Sequence, residues 1–120
     1  KNKFLKVLKN KNIETHARSI FLKGMLHHNN VIKSKKNSNL LKFINKLSKK
    51  LKEFKLPLNE ISLINVYNNK YIDKIIIGVD DVNQLKNNLM TIKKNIKNRK
   101  ISNIKIVNKL KFNHIDPRKL

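Results

Sequence analysis

The sequence contains no cysteine, so the chain can form neither a disulfide nor a thiolate metal site. Nothing therefore points to an oxidising compartment, and a reduced cytoplasm is the expected location. Apolar runs are short. None approaches the roughly 18 residues that a membrane-spanning helix needs, and the N-terminus lacks the charged-then-apolar layout of a signal peptide. A soluble protein without a membrane partner is expected. Glycine is scarce as well: Gly24 and Gly78 are the only two, so the glycine-rich phosphate fingerprint of a Rossmann fold is excluded.

Acidic residues are few, seven against 29 Lys and Arg, which leaves a formal net charge of +22. Such a field ordinarily suggests nucleic acid or an anionic surface as partner. The kind of basic residue argues otherwise. Only Arg18, Arg99 and Arg118 are arginine, and aromatic residues make up 6% of the chain, whereas phosphate and base recognition favour the arginine fork and aromatic stacking. Lys, Asn and Ile share A/T-rich codons, so compositional drift filling a solvated surface accounts for the charge. No nucleic-acid partner is expected, and a basic nucleic-acid-binding protein stands as the alternative.

The 120 residues allow one modest domain, which buries roughly two thirds of the surface of its unfolded chain. Phe4, Leu5, Val7 and Leu8 are helix-spaced from the outset, so the chain is expected to open inside an element and to be a segment of something larger. A strand is expected over 13–20, where β-branched residues cluster before Gly24. The polar, aperiodic stretch from His27 to Ser38 reads as a surface loop. Leu40, Phe43, Ile44, Leu47, Leu51 and Phe54 then recur at offsets of three and four, a helix capped by Ser38 or Asn39. Pro57 resets it, and a second helix with Ile61, Leu63, Ile64 and Tyr67 inward runs to Asn68 and Asn69.

The continuous apolar run 74–79 reads as a strand covered on both faces. Asp81 is placed to cap the next helix, whose inward face is Val82, Leu85, Leu89, Ile92 and Ile96, and a looser tail follows from Lys100 to Leu120. The order helix, strand, helix pair, strand, helix implies parallel strands joined by crossovers. Two strands leave bare edges and are marginal alone, so further strands are expected to precede them.

Two stretches resemble the aldo/keto reductase family. Arg18-Ser19-Ile20-Phe21-Leu22-Lys23-Gly24-Met25-Leu26 is similar to the family's seventh barrel strand and following loop, in the Arg-Ser-x-Phe-Leu-Gln-Gly-Leu-Leu form of the sugar- and surface-polysaccharide-associated bacterial members. The run from Tyr71 to Leu89, containing Ile75-Ile76-Ile77-Gly78-Val79-Asp80-Asp81 and Gln84, resembles the eighth strand and helix. The ending Ile115-Asp116-Pro117-Arg118-Lys119-Leu120 resembles the short Pro-containing close of such chains. The resemblance implies an α/β fold: the C-terminal part of a (β/α)8 TIM barrel, about two βα units plus a tail, with 1–120 forming one partial domain.

It further implies a nicotinamide cofactor, NADP or NAD with NADP the family's preference, held at the C-terminal face of the barrel. Ser19, Ile20, Leu22 and Gly24 fall where the family wraps the pyrophosphate. Gly78, Asp80, Gln84, Asn87 and Asn88 fall where it holds the adenosine end, with Asn87 and Asn88 reading the adenine edge. Three departures stand out. Asp80 occupies a position that commonly carries Ser, Lys or Arg in members preferring the 2′-phosphorylated cofactor, and a carboxylate there repels that phosphate. Asn87 replaces the usual Glu, and Lys23 replaces Gln.

The parent activity implied is an NAD(P)-dependent oxidoreductase reducing an aldehyde, ketone or sugar carbonyl. The family's catalytic Asp, Tyr, Lys and His lie on earlier strands, and none of Tyr67, Tyr71, Lys74 or His114 matches their motifs. No catalytic residue is assigned here, and the segment alone is not expected to be an enzyme. A non-catalytic cofactor-binding barrel relative is a further alternative. His16, His27, His28 and His114 lack a third ligand at suitable spacing, so no metal is expected.

Overall fold

A computed structural model describes residues 2–27, 38–95 and 101. Within these the protein is α/β, mostly helical, with one small parallel sheet. Helix α1 (Asn2–Asn10) leads into strand β1 (His16–Ala17). Helix α2 (Ser38–Leu51) continues as a 3₁₀ turn (Lys52–Phe54), and α3 (Leu58–Tyr67) completes the crossover. Strand β2 (Lys74–Ile75) and helix α4 (Val82–Asn95) follow. The stretches 28–37, 96–100 and 102–120 lie outside the described residues, and with them the loop and tail expected there, the Pro-containing close, His28, His114 and Ile96.

Helix ends follow local chemistry. Asn12 adopts φ 54°, the left-handed conformation that asparagine tolerates. The Asn12 N–H then donates to the Lys9 carbonyl and the Ile13 N–H to that of Leu8, both at 3.0 Å, satisfying two carbonyls at the end of α1. Pro57, at φ −67°, precedes the first turn of α3, where its missing N–H costs nothing, and its carbonyl accepts from the Ile61 N–H at 3.1 Å. Asp81 caps α4 as its position suggests: its carboxylate accepts from the Gln84 N–H at 2.8 Å.

The strands pair in parallel with His16 opposite Lys74 and Ala17 opposite Ile75. Both are far shorter than the apolar runs at 13–20 and 74–79 suggest, because ladder pairing ends where the partner ends. Ser19 turns to φ 56°, which takes the chain out of the extended region. Beyond β2, Ile76 is 54% exposed rather than covered on both faces.

Helix α3 supplies three of the eight buried apolar side chains among the described residues. Six of its ten residues are apolar, and Ile61, Leu63 and Ile64 are each only 1% exposed. Ile61 and Ile64 meet Leu51 and Ile101, while Leu26 and Ile44 form a neighbouring cluster; Leu58 packs against both. Each fully buried side chain of this size stabilises by about 1.5–3 kcal/mol.

Two inward faces differ from the sequence pattern. Tyr67 is exposed at the last turn of α3. Helix α4 packs against α3 but buries Asn88 and Thr91, leaving Val82, Leu85 and Leu89 exposed. The physical reason is the neighbour available: among the described residues the sheet has two strands, and no third strand lies beneath the apolar stripe of α4.

Candidate functional site

The strand pair has two chemically different ends. At the end where the strands begin, Asp73 joins three elements. Its carboxylate accepts from the Lys9 ammonium on α1, from the Thr15 N–H at 2.9 Å and lies 3.0 Å from the Thr15 hydroxyl. That hydroxyl also sits 2.7 Å from the Tyr71 carbonyl, so its single proton is shared between two acceptors. The Lys9 hydrogen bond, followed by those from Thr15, lowers the Asp73 carboxyl from its ordinary 3.8 to about 2. Nearby, Glu14 holds His16 and Lys74 at the surface, and these bonds, His16 first, lower its pKa as well.

At the opposite end, where the strands finish, a cleft of about 700 Å³ opens between the loop after β1 and the turn between β2 and α4. The volume is in the range of small-molecule sites, roughly 300–1,000 Å³. The loop is tightly wound: Ser19, Leu22, Lys23 and Gly24 have φ of 56°, 48°, 54° and 80°. Gly24 adopts this conformation without a Cβ penalty, whereas each of the others costs roughly 1–2 kcal/mol. Backbone bonds from Leu22 N–H to Ser19, Met25 N–H to Leu22 and His27 N–H to Gly24 hold the winding. Ser62 on α3 anchors it by donating to the Ile20 carbonyl at 2.9 Å, and buried Phe21 packs edge-on against the His27 ring.

Across the cleft, Gln84 reaches back from the first turn of α4. Its Oε1 accepts from the Asp80 N–H at 3.1 Å and its Nε2 donates to the Asp80 carboxylate at 3.2 Å. Together with the Asp81 cap, this fixes where the Asp80 carboxylate sits. A Cβ built on Gly78 meets nothing within 4 Å, so glycine keeps space open here rather than relieving a clash.

Of the nine residues singled out from the sequence, Ser19, Ile20, Gly24, Gly78, Asp80 and Gln84 line this cleft. Leu22 packs instead against the Leu26 and Ile44 cluster. Asn87 and Asn88 point different ways: Asn87 is exposed, while Asn88 is 9% exposed against the body of the protein. Arg18, Lys23 and His27 also line the cleft and give its loop wall a basic character. Arg18 and Lys23 belong to the recognisable run, but His27 comes to the cleft only through the left-handed winding, for which the sequence carries no local spacing signal.

Among the described residues, no cluster of three or more His, Asp or Glu is arranged for a metal ion, and no helix is long and apolar enough to cross a membrane. Comparison with protein-family models, with curated proteins and with solved structures finds no match to this chain.

Proposed function

We propose that the chain is the cofactor-gripping C-terminal part of an aldo/keto reductase-like (β/α)8 barrel, and that its cleft binds a nicotinamide dinucleotide. The parent reaction is reduction of an aldehyde, ketone or sugar carbonyl. One observation carries the reading. Six residues of two stretches that are distant in sequence, each resembling a cofactor-binding stretch of that family, share one cleft at the carboxyl ends of parallel strands, where α/β sheets commonly bind ligands.

The donor set fits such a ligand. Ser19 offers a hydroxyl, and Arg18 and Lys23 offer positive charge, beside a sharply turned backbone that suits a pyrophosphate. Ile76, Ile77 and Val79 provide apolar surface opposite. Asp80 accepts hydrogen bonds, which suits ribose hydroxyls and opposes a 2′-phosphate, so NAD is favoured over NADP. The dinucleotide supplies the hydride; this chain's residues bind and orient it, and none of them is assigned to proton transfer.

The test is a fluorescence titration of the chain with NADH and NADPH. Saturable binding, tighter for NADH, is expected, with Asp80→Ser shifting the preference toward NADPH. Absence of saturable binding of either dinucleotide at millimolar concentration would falsify the reading.

A further inference from the structure

A second cavity, of about 410 Å³, lies between α2 and the start of α3, away from the cleft at the strand ends. Its floor is core: Leu26 and Ile44 belong to one apolar cluster and Leu51 to the other, with Leu58 bridging them. The cavity is thus a gap between two hydrophobic clusters, with Asn45 and Ser48 as the uncharged polar residues of its lining. At its rim stand Lys52 and Lys55, with no carboxylate among the lining residues.

Lys55 is held at the rim by its backbone. It adopts φ 52° at the end of the 3₁₀ turn, and its N–H donates to the Lys52 carbonyl at 3.1 Å, which ties the two lysine-bearing residues into one turn. Both side chains belong to exposed residues, so their ammonium groups stay hydrated while their stems can lie along the apolar wall.

An apolar floor beneath a cationic rim complements one kind of ligand. We infer that this cavity binds an aliphatic carboxylate, such as a medium-chain fatty acid, with the hydrocarbon against Leu26, Ile44 and Leu51 and the carboxylate at Lys52 and Lys55. A neutral alcohol of the same length gains the apolar burial but not the charge-assisted hydrogen bonds, and an alkylammonium is repelled. This site is independent of the dinucleotide cleft, with which it shares no lining residue.

The experiment is calorimetric titration of the 120-residue chain with decanoate below the concentration at which it self-associates, beside decanol and decylammonium. Single-site binding of decanoate is expected, weakened about tenfold or more in a Lys52→Glu/Lys55→Glu double variant, which replaces charge-assisted bonds to the carboxylate by repulsion. Ser48→Phe, which fills the cavity from its exposed side, should abolish binding while circular dichroism and the melting temperature hold. The inference is overturned if decanoate shows no saturable binding, if decylammonium binds as tightly, or if neither variant changes the affinity.

Discussion

The two ends of the strand pair divide the work of the molecule. Where the strands begin, Asp73, Thr15, Lys9 and the Tyr71 carbonyl satisfy one another, drawing α1, β1 and β2 together. Where they finish, the backbone is held in left-handed turns, Asp80 is exposed, and the residues surround space instead of filling it. A satisfied end resists unfolding, and a strained, open end is where the fold can accommodate a ligand. Substitutions at the first should therefore move stability and leave binding alone, whereas those at the second should move binding even where the protein stays folded.

The largest effect is expected below both ends. Ile64→Ala removes a 1% exposed side chain from the core and should lower stability by about 2–5 kcal/mol in chemical denaturation, abolishing the distinction because both ends need the folded core. Thr15→Val should come next. It removes a hydroxyl from a residue only 8% exposed and leaves the Tyr71 carbonyl short of a partner, at a cost of about 1–3 kcal/mol, with dinucleotide binding unchanged in the folded protein. If affinity fell with stability, the two ends would not be separable.

The acid limb of stability sharpens the same contrast. Folding lowers the Asp73 pKa from 3.8 to about 2, so the unfolded chain takes up a proton more readily than the folded one. The stabilisation is fully present above about pH 4 and is lost as pH falls toward about 2. Glu14, also lowered, contributes in the same direction. Asp73→Asn should flatten this part of a stability-against-pH curve measured by denaturant titration, and an unchanged curve would remove Asp73 from the account.

The smallest expected effect is at the open end. Asp81→Ala deletes the cap of α4 and should cost about 0.5–2 kcal/mol while loosening the Asp80 and Gln84 pair, so NADH affinity should fall even where the protein remains folded. Retained affinity would mean that the cap holds the helix but does not position the cleft.

Much of the architecture was legible because it is local. The three- and four-residue spacing of Phe43, Ile44, Leu47 and Leu51 sets α2, Pro57 marks the start of α3, and Asp81 announces α4. The parallel pairing of the two strand regions was also implied by element order. The burial of α4 was not. Val82, Leu85 and Leu89 form an apolar stripe that predicts an inward face, yet Asn88 and Thr91 are the residues covered, because which face is buried depends on what lies beside the helix.

The candidate cleft shows the same division. The sequence by itself determined the charge, the helix caps and which residue types the two runs can offer. Only the tertiary structure decided that Ser19, Ile20 and Gly24 face Gly78, Asp80 and Gln84 across one space, that Leu22 turns to the core, and that Asn87 and Asn88 part. Periodicity and capping act within a few residues of one another, whereas a cleft is made by elements whose distance is fixed by packing, and no residue carries that distance in its neighbours.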